Sequence, residues 1–138
     1  MTETGPQRRA VVAKRVDSGT PDTTEIRDLA RAAGYEVVGE VTQTRKEDPA
    51  THVGEGKVAT LARTVVETEA TVVVFDNQLG PYQTYNIGNE LPEGVKLVDR
   101  FRLILEIFGQ RAQTRKAQLQ VELAELRYEL PRAEAQAS

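Results

Sequence analysis

Residues 71–75 read TVVVF, a run with no charge and, after Thr71, no polar group. A strand with one wet face alternates apolar and polar side chains, whereas a strand covered on both faces is apolar throughout. The run therefore predicts the central strand of a parallel sheet with helices on both faces. The chain on either side agrees. Upstream, residues 8–16 enclose Ala10, Val11, Val12 and Ala13 and read as a strand. Ser18, Gly19, Pro21 and Asp22 mark a turn. A helix follows, with Asp22 or Thr23 as its cap, Ile26, Leu29, Ala30 and Ala33 on its buried face, and Gly34 as its stop. Residues 35–44 are a second strand, with Val37, Val38 and Val41 toward the core; residues 46–54 are a polar loop. A helix over 54–69 presents Val58, Leu61, Ala62 and Val65.

Downstream of the central strand, residues 81–91 read as a helix and 95–98 as a short fourth strand. The alternation of strands and helices predicts an α/β domain with a four-stranded parallel sheet, flanked by helices through right-handed crossovers. Residues 99–132 then read DRFRLILEIFGQRAQTRKAQLQVELAELRYELPR and carry a helical pattern. Leu119, Leu123, Leu126 and Leu130 are spaced four, three and four apart, which places them on one stripe, as in the seam of two paired helices. The stretch reads as a long C-terminal helix, half of a helical hairpin. Its organisation is a disordered tail over 1–7, the α/β domain over 8–99, the helical segment over 100–132 and a tail over 133–138. Gly109 is the one glycine nearby, and no glycine or proline lies between Gln110 and Leu130 to form a tight reversal. The expectation is that the helix does not fold back but forms a homodimer through the leucine seam, in an antiparallel or parallel pair.

Several blocks occur in a fixed order: VVGEVTQTR at 37–45, HVGEGKV at 52–58, VVVFDNQLGPYQTYNI at 72–87 and VKLVDRFRLILEIFGQRA at 95–112. Together with the final helical stretch they resemble the N-terminal domain of HflX-type GTPases over residues 8–132. Lys116-Ala117 departs from the pattern, where that family usually has an acidic residue and a glycine. The resemblance implies association with the large ribosomal subunit and ribosome splitting. It also implies GTP and Mg chemistry in a GTPase domain of a longer parent, downstream of a second hairpin helix. On this reading the chain itself needs no cofactor and is not an enzyme.

Composition sets the outer bounds. A chain of 138 residues suits one core. It has no cysteine, which excludes disulfides and thiolate chemistry. No apolar run approaches the roughly 20 residues of a membrane span, and MTETGPQRR has no apolar stretch after its charges, so a cytoplasmic location with no membrane partner is expected. The net charge of −3 is uneven: residues 100–132 hold seven basic against four acidic side chains, while residues 1–99 hold eleven against sixteen.

Candidate sites are few. Gly54, Gly56 and Lys57 sit where a loop enters a helix, and backbone N–H groups there suit an anion or nucleotide. A phosphate loop needs four residues between its glycines and a serine or threonine after the lysine; here Val58 follows Lys57, and the ordinary reading is a tight turn that opens a helix. A stand-alone domain with weak adenine-nucleotide binding is the alternative function. Asp76 and Asn77 end the central strand, where open α/β sheets place ligands, although turn capping explains them equally simply. Asp76 lacks the acidic companions of a phospho-accepting receiver. His52 is the lone histidine, and no spacing suits a metal. Arg111, Arg115 and Lys116 are the candidate RNA contacts; the plainer reading is a junction between two helices, with Gly109 to Arg111 as the bend.

Overall fold

The computed structural model describes residues 8–137, so the tail expected over 1–7 lies outside the described residues. The elements are β1 (Arg9–Val16), α1 (Thr24–Ala32), β2 (Glu36–Thr44), α2 (Glu55–Thr68), β3 (Val72–Phe75), α3 (Pro81–Glu90), β4 (Lys96–Asp99), α4 (Arg100–Arg111) and α5 (Arg115–Ala137). The sheet order is β2-β1-β3-β4, and every pair is parallel. The expected four-stranded α/β architecture is what the chain adopts.

Two-sided burial organises the core. On β1, Val11 and Ala13 join one cluster while Ala10 and Val12 join the other; on β3, Val73 and Phe75 divide from Val72 and Val74 in the same way. The first cluster is closed by Val58, Leu61 and Val65 of α2 and Ile87 of α3. The second is closed by Ile26 and Ala30 of α1 and Leu103 and Ile107 of α4. Each such side chain, taken from water to the interior, is worth about 1.5–3 kcal/mol. That is why an all-apolar strand settles in the middle layer.

The pairing of β1 with β2 shifts register between Ala10, which faces Val37, and Val11, which faces Gly39. Val38 is the extra residue of a bulge. Val37 packs on one cluster and Val38 on the other, as alternation between neighbouring strand residues requires. At Gly39 a Cβ would stand 3.1 Å from Thr64 Cγ2 of α2 and 3.5 Å from Val11 Cγ2, so the helix lies close on the strand.

The helical end differs from expectation in two ways. First, α5 does fold back, and it packs on α3 and α4. The reversal needs no glycine: Ala112 is extended (φ −71°, ψ 117°), and the Thr114 hydroxyl accepts from the Ala117 N–H at 3.0 Å to start the next helix. An extended residue followed by a side-chain cap turns the chain as well as a glycine would. Gly109 lies within α4 against Val121, and the break comes after Arg111. Second, α5 runs through Pro131 to Ala137, so residues 133–137 are helix and not tail. Pro131 removes one backbone donor, but the turn beyond it is tied down by Arg132 and by the buried Ala135.

Gly39→Val should force α2 off the sheet. A loss of about 1–3 kcal/mol is expected from overpacking. It should appear as a lower urea midpoint with an unchanged slope, whereas Gly56→Ala, where a Cβ meets open space, should leave the midpoint nearly in place.

Candidate functional site

Parallel strands end together, so the residues just past β1, β2, β3 and β4 share one edge of the sheet, the edge where open α/β folds bind ligands. Asp76 and Asn77 are at its centre. The Asp76 carboxylate is buried and accepts an ion pair from Lys14 at 3.0 Å and a hydrogen bond from Arg100 Nη1 at 2.8 Å; Arg100 Nη2 reaches Glu25 at 3.1 Å. The Glu25 and Asp76 hydrogen bonds hold Arg100 even more firmly protonated than usual. Asn77 does not cap a helix. Its side chain accepts from the Arg15 N–H and donates to the Arg15 carbonyl, both at 2.8 Å, so its amide stands in for one more residue of parallel pairing between β3 and β1.

His52 is buried beside this edge with φ 68°, edge-on to Phe75. Its Nδ1 accepts from Arg15 Nε at 3.2 Å. Burial first, and then the Arg15 charge, lower its pKa, so the ring is held neutral. Arg15 also donates to Asp17 and to the Arg45 carbonyl. The loop before α2 is closed on itself: Asp48 and His52 exchange both backbone hydrogen bonds, and the Asp48 side chain accepts from the Ala50 and Thr51 N–H groups, which keeps its carboxyl below the usual range.

Gly54 is the N-cap of α2, with Gly56 and the half-buried Lys57 in the first turn. The Gly54 N–H is already spent on Gln43 Oε1 at 2.8 Å, and a Cβ there would meet Arg45 Nη1 at 2.9 Å. That contact is with the far end of a flexible arginine side chain, which can shift to make room. Among the described residues no group of three or more His, Cys, Asp or Glu side chains is placed to hold a metal ion.

The second candidate region is the α4–α5 pair. Arg111 ends α4 and Arg115 and Lys116 open α5, so the fold brings these three exposed residues to one end of the pair. Leu119, Leu123, Leu126 and Leu130 do share a face, and each is between 46% and 60% exposed. The face of α5 that meets the body is another one: Ala117, Val121, Ala124, Tyr128, Arg132 and Ala135 recur every three or four residues, about 180° around the helix from the leucines.

The anchor of that docked face is a cluster that sequence reading did not single out. Asp99, 1% exposed, caps α4 by accepting from the Arg102 N–H at 3.0 Å, and its other oxygen accepts from the Leu79 N–H at 3.0 Å. Arg132 of α5 reaches the same carboxylate at 3.7 Å, donates to the Leu79 carbonyl, and lies 3.6 Å over the Tyr128 ring. Tyr128 stacks on Phe101 with centroids 5.8 Å apart. Burial first, and then the Asp99 charge, push the Tyr128 hydroxyl well above its ordinary pKa. A second tie joins Arg102 to Glu125 at 3.4 Å and to Glu106 at 3.8 Å. Burial drives the Glu106 carboxyl up, but hydrogen bonds from Lys96 and Tyr35 with the Lys96 and Arg102 charges outweigh it, and the net shift is downward. Arg102, Tyr128 and Arg132 line a cavity of about 280 Å³ with Thr84, Lys96 and Gln136. Two signals for this cluster were available: an aspartate directly before a helix, and a tyrosine–arginine pair four apart on a face of small residues.

The chain matches the family model described as GTP-binding GTPase N-terminal over residues 21–109, and the GTP-binding GTPase middle region over 111–138. It is 47% identical over 127 residues to the GTPase HflX of Thermofilum pendens, covering 89% of this chain and 30% of that protein. The chain belongs to the HflX GTPase family. The GTPase HflX of Escherichia coli is 43% identical over 113 residues, covering 81% of this chain and 26% of the relative. The chain thus spans less than a third of these HflX relatives, and it matches their N-terminal and middle regions. The crystal structure of SsGBP in complex with GDP superposes with a TM-score of 0.76 at 26% identity, covering 92% of this chain and 36% of that one. A GTP-binding protein from Sulfolobus solfataricus in complex with GDP gives 0.71 at 26% identity, over 93% and 39%. The boundary between the two HflX family models, between residues 109 and 111, falls beside the break that separates α4 from α5. Among the described residues no helix is long and apolar enough to cross a membrane.

Asp99→Ala should leave the Leu79 N–H unpaired and Arg132 without its carboxylate. A loss of about 3 kcal/mol is expected in chemical denaturation. Amide exchange should rise first in the last turns of α5.

Proposed function

We propose that this chain is the binding and regulatory N-terminal region of an HflX-type GTPase, working in the cytoplasm. It docks on the large ribosomal subunit and restrains the GTPase domain of a longer parent, within a family that splits ribosomes. The observation that carries the docking role is the placement of Arg115 and Lys116. They open α5, where the positive end of the helix dipole disfavours cations by about 0.3–1 kcal/mol each. With Arg111 beside them, they make a basic tip whose self-repulsion an anionic partner such as RNA phosphate would relieve. A purely structural junction asks for acidic groups at that helix start.

The leucine stripe is, on the same proposal, a surface for pairing with a further helix. In a longer parent that helix leads toward the GTPase domain; for the chain on its own it is a second copy. GTP hydrolysis belongs elsewhere in the parent, since Gly54 to Lys57 is followed by Val58 and the Gly54 amide is engaged by Gln43.

Co-sedimentation with large ribosomal subunits should show weak binding that fades as salt rises. Replacing Arg111, Arg115 and Lys116 together by alanine should weaken it and reduce the slope of log affinity against log salt by about 2. Unchanged pelleting of the triple variant would remove these residues from the interface. Calorimetry of the same preparation with GTP and with ATP should give no micromolar binding; tight ATP binding would favour the stand-alone nucleotide domain instead.

A further inference from the structure

A groove of about 430 Å³ lies between α4 and α5 near the tip of the pair, with Leu105, Phe108 and Ala112 on one wall and Ala117, Val121 and Ala124 on the other. Leu105 is buried at its floor, whereas the Phe108 ring is 56% exposed. The surroundings are polar and of one sign. The charged side chains of residues 107–121 are Arg111, Arg115 and Lys116, with no acid among them, in a chain whose net charge is −3. All three are exposed, and Arg111 and Gln120 line the groove itself. We propose that this groove receives an unpaired nucleobase of single-stranded RNA, stacked on Phe108, while Arg111, Arg115 and Lys116 hold the flanking phosphates.

The occupant follows from the two kinds of surface that meet here. A phosphate alone would use the cations and not the ring, and an apolar protein segment would use the ring and not the cations. A nucleotide offers an aromatic face and an anion together. In a duplex the faces of the bases are covered by their neighbours, so an unpaired base is the one that can reach a ring. Stacking of this kind tolerates any base, because every base has a π-face. The Gln120 carboxamide can give and take a hydrogen bond at the base edge. The flanking acids do not oppose the charge. Glu106 is held by Lys96 at 2.9 Å, and Glu122 is about 150° around α5 from the groove wall. The same wall is about 90–190° around α5 from the leucines, so a helix seated on the stripe leaves the groove open. The proposal rests on the RNA-docking reading of the basic tip and specifies what that tip selects, since phosphate contacts carry no base information and stacking separates single strand from duplex.

Fluorescence anisotropy at low salt tests this with three labelled probes: a single-stranded oligoadenylate of about 12 nucleotides, its duplex with oligouridylate, and an abasic strand of the same length. The single strand should bind the chain about tenfold more tightly than the abasic strand, which has the phosphates without the bases. Phe108→Ala should remove that advantage and leave the slope of log affinity against log salt unchanged, and Phe108→Trp should keep the advantage. Phe108 is exposed, so both variants should match the parent chain in circular dichroism and urea midpoint. A 2-aminopurine in mid-strand should lose fluorescence on binding to the parent chain and not on binding to Phe108→Ala. Equal affinity for the abasic strand, tighter binding of the duplex, or unchanged affinity of Phe108→Ala would overturn the base site. The docking reading would survive that result if replacing Arg111, Arg115 and Lys116 still weakened pelleting with large subunits. Weaker pelleting of Phe108→Ala with unchanged oligonucleotide binding would assign the groove to a protein surface and overturn the base site. No binding of the single strand at about 1 mM would overturn it too, and the docking reading would fall with it only if large subunits also failed to pellet the chain.

Discussion

Everything in this fold follows from burying β3 on both faces. The two inner strands, β1 and β3, carry apolar side chains above and below and need cover on two sides, and α2 with α3 on one face and α1 with α4 on the other supply it. With four helices both faces of the inner strands are covered. The fifth helix therefore has no sheet to lie on and rests on other helices. It is held by small residues, by Tyr128 stacked on Phe101, and by polar ties, Arg132 to Asp99 and Arg102 to Glu125, with no large aliphatic side chain on the docked face. Asp99 makes this possible because one buried carboxylate serves the start of α4, the loop before α3 and the end of α5 together. A buried ion that loses a partner costs several kcal/mol, so these segments are locked to one another more firmly than the modest apolar contact of α5 would achieve.

That division of labour leaves α5 with two faces of opposite kind. The docked face is Ala117, Val121, Ala124, Tyr128 and Ala135; the outer one is leucine. Hydrophobic burial favours the reverse, with the larger side chains inside. A helix that keeps its strongest apolar stripe outward satisfies its own domain with less and holds more for another helix. On the proposed pairing role, the same element would join the sheet edge, through Arg132 and the Leu79 carbonyl, to the helix that covers the leucines.

The sheet and its helices were legible because two-sided burial writes a simple pattern: TVVVF at the centre, apolar runs bounded by turns, and helical faces at intervals of three and four. The leucine stripe was legible as a stripe, and among the described residues its four leucines are exposed. What was not legible was the reversal at 112–114, because an extended Ala112 and a Thr114 cap look like ordinary helix residues. The docked face of α5 was missed for a related reason. Alanine and valine carry a weak signal beside four leucines, and the partners of Tyr128 and Arg132, at residues 79, 99 and 101, are brought near only by the fold. The Val38 bulge left no mark either, since Val37 and Val38 both read as core.

The sheet's carboxyl edge shows why fold position alone does not make a ligand site. Asp76 stands where nucleotides bind in open α/β proteins, yet it is held between Lys14 and Arg100, and Asn77 is consumed in extending β3 onto β1. A ligand entering there would have to displace partners that are already charged and correctly placed, and a buried ion pair is costly to break. At the tip of α4 and α5 the balance runs the other way. Arg111, Arg115 and Lys116 are exposed, two of them work against the dipole of their own helix, and an added anion would relieve that repulsion. Between a cation already matched and a cation left in an unfavourable field, the second has more to gain from a partner, and that difference is what supports the proposal that this domain binds through its helical pair and not through its sheet.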